Sequence, residues 1–360
     1  MAKILHTSDL HFSKDDLDYC LDVWKEILDI GTNNNVEALI ISGDVFNTFQ
    51  DLIEAREPFV QATSNIDYPI YCISGNHEYL GLNNRSLGSY DLGKIHWIHS
   101  QSFQIFESRS KSWELVAIPY STKYSDYRDW KIPTKSKPRI IMAHGLIPEI
   151  LPYTGPDEEE GDHIIELDML ARFNPDYVAL GHIHRRTVER LQNLPIYYPG
   201  SPRVWRKGEK FERSVNLINI DDSGSINTKP ITVEKAGQFI ALEWNLDVNG
   251  TLPVIDLANT YKAQDYIYVD VLGFSDKESN INQQMDQIKN IWDKKFRKFE
   301  ISSSNVRYLE GISDLSLVQK FLKTWESKKP DSTNEAQTHR WIRARQIGLE
   351  AIANAVEGSK

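Results

Sequence analysis

Ile4-Leu5-His6-Thr7-Ser8-Asp9-Leu10-His11 runs from a short apolar strand straight into two side chains able to bind metal ions. Four later stretches repeat this form. Leu39 to Ile41 leads into Gly43-Asp44, Ile70 to Ile73 into Gly75-Asn76-His77-Glu78, Ile140 to Met142 into His144-Gly145, and Val178 to Leu180 into Gly181-His182-Ile183-His184. Strand-like runs over 4–7, 38–42, 70–74, 115–118, 139–143 and 177–180 alternate with helical periodicity. Over 17–33, Leu17, Leu21, Trp24, Ile27 and Leu28 fall at helical spacing, and a second helix is expected over 51–64. Such alternation predicts a layered α/β domain with βαβ crossovers and a sheet carrying helices on both faces. In such a sheet ligands gather beyond the carboxyl ends of the strands. Five apolar runs ending in chemistry therefore line one rim.

The domain so defined is expected to cover residues 1–233, closing with a hairpin whose turn is Asp221-Asp222-Ser223-Gly224. A smaller α+β domain is expected over 238–308, with strands at 239–246, 266–272 and 299–301 and helices at 254–261 and 279–292. Two helical patterns, at 315–327 and 335–355, form a C-terminal segment over 313–358, joined by the breaker-rich Lys328-Lys329-Pro330-Asp331-Ser332.

Composition bounds the rest. The chain has 360 residues, with 40% hydrophobic and 26% charged, as in an ordinary soluble protein. Cys20 and Cys72 show no metal-type spacing and read as thiols of a reducing compartment. The start lacks a leader pattern and no apolar run approaches the length needed to span a bilayer, so a cytoplasmic setting and no membrane association are expected. A net charge of −10 argues against binding nucleic acid through the overall field. It leaves room for local basic surfaces, for which Arg185, Arg186, Arg203, Arg206 and Lys207 are candidates. The acidic excess is partly concentrated over 157–160.

The candidate metal ligands are Asp9, His11, Asp44, Asn76, His144, His182 and His184. Imidazole with carboxylate and amide oxygens, and no thiolate, suits manganese, iron(II) or zinc. Seven groups exceed the needs of one ion and suit two ions sharing a carboxylate. Such a pair clamps the oxygens of a displacement at phosphorus. His77 is not needed as a ligand and is a candidate catalytic group, contacting the phosphate or protonating the leaving oxygen, with Glu78 behind it as an orienting residue. Isolated histidines such as His6, His96, His99, His163 and His339 read as core or surface residues.

Asp9-x-His11, Gly43-Asp44, Gly75-Asn76-His77, His144 and Gly181-His182-x-His184 resemble, in order, the motifs of the calcineurin-like metallophosphoesterases. Within that superfamily, Gly43-Asp44-Val45-Phe46, Ala179-Leu180-Gly181-His182-Ile183-His184 and Tyr198-Pro199-Gly200-Ser201-Pro202 look like the SbcD family of repair nucleases. The resemblance implies a layered metallophosphoesterase sandwich with a smaller DNA-capping domain. It implies that Asp9, His11, Asp44 and His184 hold one ion and Asp44, Asn76, His144 and His182 the other, with Asp44 bridging and His77 contacting the phosphate. It also implies manganese as the metal, with iron(II), zinc or magnesium as alternatives, nuclease activity on DNA ends, a homodimer, and partnership with a coiled-coil ATPase of the SbcC type gripped by the C-terminal helices. The chain departs from the pattern at Asn47, where archaeal members of the wider group carry a histidine, and at Glu78, where the family usually has aspartate; both are expected to stand just behind the metal ligands. Two further functions fit the same residues: a phosphodiesterase of small nucleotides, and a mainly architectural subunit of the ATPase complex.

Overall fold

Side chains alternate along β1 (Ala2–Thr7), sending Ile4 to one face and Leu5 to the other. The same division runs through β2 (Ala38–Ile41), where Ala38 and Ile40 oppose Leu39 and Ile41. It recurs in β7 (Arg139–His144), where Ile140 and Met142 oppose Ile141 and Ala143. Both faces of these strands are covered, which is why they read as unbroken apolar runs.

The computed structural model describes residues 1–79, 90–99, 102–121, 127–153, 164–275, 277–309, 315–330 and 335–357. The acidic stretch 157–160, His163 and part of the breaker segment lie outside them. The chain divides into two units, Met1–Gln238 and Phe239–Lys360.

In the first unit the alternation resolves into two sheets where the strand pattern predicts one. The first sheet adds β3 (Ile70–Ile73), β4 (Ile95–Ile98), β11 (Ser214–Ile220) and β12 (Ile226–Thr232), in the order β12-β11-β1-β2-β3-β4. The second is made of β5 (Gln104–Glu107), β6 (Glu114–Ala117), β7, β8 (Tyr177–Gly181), β9 (Thr187–Leu191) and β10 (Leu194–Tyr198), in the order β5-β6-β7-β8-β10-β9. Ile4, Ile40 and Ile73 of one sheet and Leu115, Met142 and Ala179 of the other share one buried cluster between the sheets. The outer face of the first sheet packs under α1 (Leu17–Asn33) and α2 (Phe49–Ala62), through Trp24, Ile27, Leu52 and Phe59. Helix α2 starts two residues earlier than its apolar pattern because Thr48 Oγ1 accepts from the Asp51 N–H at 3.1 Å and caps the first turn. β1, β2 and β3 are parallel, as are β7 and β8. Their carboxyl ends carry the residues read from the sequence as chemistry.

Among its described residues the second unit holds three parallel strands, β13 (Phe239–Asn245), β14 (Tyr266–Ser275) and β15 (Lys298–Tyr308). The helix expected over 254–261 does not form. Asp256 turns the chain instead, accepting from the Ala258 N–H at 3.1 Å and from Asn259 Nδ2 at 2.8 Å, which offers the backbone a local alternative to helix. Only Leu257 of that stretch is buried, and Val254 is fully exposed. A helix of 15 residues, Glu278–Trp292, does form and packs Ile281 and Met285 on the strands. The C-terminal helices, Ser316–Glu326 and Glu335–Glu357, are joined by stacked Trp325 and Trp341, each indole N–H donating to the other's backbone carbonyl at 2.7 and 2.8 Å. No helix among the described residues is long and apolar enough to cross a membrane.

Candidate metal centre

Strand ends bring polar groups together only if the backbone turns sharply just after them. Asp9, His11, Asp44 and His182 all have positive φ, at 52°, 43°, 53° and 105°. Non-glycine residues in this region cost about 1–3 kcal/mol each and persist where surrounding structure enforces them. Here the enforcing contacts are backbone bonds between loops: Asp9 N–H to Gly43 O at 3.1 Å and His11 N–H to Asp44 O at 3.0 Å. Gly75 is required by a close approach, since a Cβ there would lie 2.0 Å from Asp44 Oδ1 and 2.5 Å from the Asp44 nitrogen.

The seven candidate ligands lie at this rim. Nitrogen and oxygen atoms of Asp9, His11 and His184 lie within 4.8 Å of one another, as do those of Asp44, His144 and His182, and those of His11, Asp44 and His77. Asn76 Oδ1 is 2.9 Å from His144 Nε2 and 3.2 Å from His182 Nδ1. Asp9 Oδ1 accepts from the His182 N–H at 2.9 Å, tying the two groups.

Several rings are oriented from behind. His144 donates its Nδ1–H to Ser42 O at 2.7 Å, and His77 its Nδ1–H to Asn47 O at 2.6 Å. His184 donates its Nδ1–H to Glu209 Oε1 at 2.9 Å. A proton fixed on Nδ1 leaves Nε2 as the donor atom facing the centre. His144 Nε2 then meets Asp44 Oδ2 at 3.2 Å as well as Asn76 Oδ1. Burial pushes the His144 imidazole down, but the Asp44 carboxylate outweighs it and lifts the ring to about 9. Burial likewise opposes ionisation of Asp44, yet the same imidazole helps hold its carboxyl well below the ordinary range. Burial, with the His184 and His77 rings nearby, holds His11 well below its usual value.

This donor set fits divalent cations. His11 Nε2 and His184 Nε2 stand 3.0 Å apart, and two nitrogens bound side by side on one ion at about 2.1 Å are also about 3 Å apart. Lone pairs from imidazoles, carboxylates and an amide converge in a buried space where a positive charge relieves their repulsion.

Three features were not legible in the sequence. Glu209 looks like one charge in a charged loop, yet it is buried and bonds His184, the Trp205 and Arg206 N–H groups at 3.0 and 3.1 Å, and Arg213 Nη2 at 3.0 Å. Asn47 acts through its carbonyl, which no side-chain pattern reports. Glu78, expected behind His77, instead directs its carboxylate to the backbone N–H groups of Asp44, Phe46 and Gly75 at 3.2, 2.8 and 2.7 Å, cross-linking two site loops, and Asn47 O is what accepts from His77 Nδ1. Burial and the neighbouring Asp44 raise its carboxyl to about 7.

Arg203 departs from its expected place in an exposed basic surface. It is 2% exposed and its guanidinium binds the His11 carbonyl, Asp16 and, at 3.1 Å, Cys20 Sγ. The turn after Gly200, with φ of 80°, sends the side chain inward. Arg185 and Lys207 are exposed, and Arg186 and Arg206 half-buried. His6 is a satisfied core histidine, 3.0 Å from both Tyr177 OH and Ser42 Oγ.

A buried cluster of histidines and carboxylates on the rim of a two-sheet α/β sandwich defines a metallophosphoesterase, and residues 2–186 match the calcineurin-like phosphoesterase family, to which this chain belongs. The chain is 25% identical over 245 residues to the DNA double-strand break repair protein Mre11 of Thermoplasma acidophilum, covering 63% of this chain and 62% of that one. It is 28% identical over 262 residues to the protein of the same name from Saccharolobus solfataricus, covering 65% and 64%. It is 24% identical over 265 residues to the SbcD component of the SbcCD nuclease of Bacillus subtilis, covering 60% and 66%. The match thus spans under two thirds of the length of each of these relatives.

Proposed function

We propose that this chain is the nuclease component of a DNA double-strand break repair complex, hydrolysing phosphodiester bonds at DNA ends with two divalent ions, manganese first among them. The observation that carries the chemistry is the convergence of Asp9, His11 and His184 beside Asp44, His144 and His182. Similarity to the Mre11 and SbcD proteins supports DNA as the substrate. In this reading Asp9, His11, Asp44 and His184 hold one ion, and Asp44, Asn76, His144 and His182 the other. When bound, the ions polarise the phosphodiester and lower the pKa of water at the site.

The protein's own residues supply the rest. Asn47 O holds His77 with Nδ1 protonated, so Nε2, once it also carries a proton, can donate to a phosphate oxygen or give that proton to the departing sugar oxygen. Glu78 keeps the Asp44 and Gly75 loops in register. Arg185, Arg186, Arg206 and Lys207 supply cationic groups for the phosphate backbone. Residues 1–233 form the nuclease domain, 238–308 the DNA-capping domain and 313–358 the segment gripping an SbcC-like coiled-coil ATPase, with the chain acting as a homodimer.

The test is digestion of linear duplex DNA by the purified chain with and without manganese, beside turnover of a small phosphodiester such as bis-p-nitrophenyl phosphate. Manganese-dependent shortening of DNA is expected. Turnover of the small ester with DNA left intact would favour a phosphodiesterase of small nucleotides instead.

A further inference from the structure

The imidazoles of the centre are not oriented by one device. His144, His184 and His77 each spend Nδ1–H on an oxygen: Ser42 O, Glu209 Oε1 and Asn47 O. His11 has no such oxygen. Its Nδ1 is buried without a hydrogen-bond partner among the described residues. What lies against the ring is the indole of Trp205, with centroids 3.9 Å apart and planes inclined by 7°.

The stack is itself held in place. The Trp205 backbone N–H donates to Glu209 Oε2 at 3.0 Å, the carboxylate that also fixes His184. The neighbouring Arg203 grips the His11 carbonyl, and the Arg206 guanidinium carbon lies 4.0 Å from the indole centroid. One loop, residues 203–213, therefore holds the backbone of His11, the ring of His11 and the ring of His184. An imidazole without a second hydrogen bond is free to rotate about χ2, a broad torsion, unless a flat surface restricts it. Offset or parallel aromatic contact supplies that restriction.

We propose that Trp205 is the positioning residue of His11: its indole takes the place of the hydrogen-bonded oxygen that orients His144, His184 and His77, and so sets the affinity of the Asp9–His11–His184 half of the centre for a divalent cation. The inference rests on the reading of this cluster as a metal site and deepens it. Loss of an orienting partner behind a metal ligand typically weakens binding by about 10–100-fold, and the same loss is expected here. The Asp44–His144–His182 half, whose His144 ring is held by Ser42 O instead, keeps its affinity.

The experiment is equilibrium dialysis of the full chain against manganese, with bound metal counted by atomic absorption and folding followed by circular dichroism. Trp205→Leu keeps apolar bulk without a flat ring, and Trp205→Phe keeps a ring. The wild type is expected to bind two ions. Trp205→Leu is expected to retain one at unchanged affinity and to bind the other about 10–100-fold more weakly. Trp205→Phe is expected to recover most of that loss. Two ions bound by Trp205→Leu at wild-type affinity overturn the proposal, as does a Trp205→Phe protein no better than the leucine variant. A wild-type protein that binds no manganese defeats the metal reading itself, a result distinguishable because it appears before any substitution is made.

Discussion

The ring Nδ1 of His77 stands 2.6 Å from the backbone carbonyl oxygen of Asn47. A carbonyl only accepts, so the contact fixes the tautomer of the imidazole and aims Nε2 the other way. Because the contact is made by backbone, the Asn47 side chain is dispensable for it. Asn47→Ala is expected to keep phosphodiesterase turnover close to wild type, whereas His77→Ala lowers it by about 10²–10⁴-fold, the usual contribution of a positioned acid or base. Steady-state turnover of a phosphodiester by both variants, with bound metal measured in parallel, checks this. Equal rates for His77→Ala and wild type would remove His77 from the reaction.

Gly75→Ala tests the close approach of two site loops. Its Cβ would meet Asp44 Oδ1 at 2.0 Å and the Asp44 backbone nitrogen at 2.5 Å, and backbone cannot swing aside as a side chain can. Overpacking of this kind costs about 1–3 kcal/mol, and the loop that must move carries Asp44. We expect a lower urea midpoint together with weakened manganese binding. A folded variant with both properties intact would show that the 75–78 loop is not tightly set against Asp44.

Glu209 links acid stability to the site. Burial opposes its ionisation, but the His184 hydrogen bond and the Arg213 charge prevail and depress its carboxyl from 4.5 to about 2. A depressed carboxyl contributes stability above its unfolded value and loses it as pH falls towards its folded value. The contribution is therefore present above about pH 4.5 and disappears between about 4.5 and 2, on the order of 3 kcal/mol at most. Chemical denaturation of Glu209→Gln and wild type across that window should converge at the acid end. A constant gap between the two curves would rule out this link.

The basic residues separate into two groups with opposite readouts. Arg203 is buried against the half-buried Asp16 and the His11 carbonyl, so Arg203→Ala removes these bonds from a buried site and should cost about 1–3 kcal/mol in folding stability. Arg185 and Lys207 are exposed, so their alanine variants should fold normally and each reduce the salt dependence of DNA binding by about one phosphate contact. Fluorescence anisotropy on duplex DNA at several salt concentrations, beside urea melts, distinguishes the groups. An unchanged salt slope in both surface variants would take Arg185 and Lys207 out of the DNA interface.

Much of the layered domain is legible because its information is local. The runs at Ile4, Leu39, Ile70, Ile140 and Val178 appear as strands within a residue or two of their expected ends. The strands Ile95–Ile98, Gln104–Glu107 and Thr187–Leu191 escape such a reading because they are in part open to solvent, and Leu194–Tyr198 because Pro195 interrupts its run. The missing helix over 254–261 shows the opposite error: apolar spacing suggests a helix, while Asp256 competes for the backbone and turns it.

The amino-acid sequence by itself determined which side chains stand at the strand ends, since a strand that stops in aspartate or histidine announces its rim: Asp9, Asp44, Asn76, His144 and His182 are written into five such breaks. Only the tertiary structure decided how those groups meet. The left-handed backbone at Asp9, His11, Asp44 and His182, the inward turn of Arg203, the carboxylate of Glu209 behind His184 and the indole of Trp205 against His11 all depend on loops far apart in the chain. No local pattern encodes such contacts, because each exists only once strands and loops separated in the chain have packed side by side.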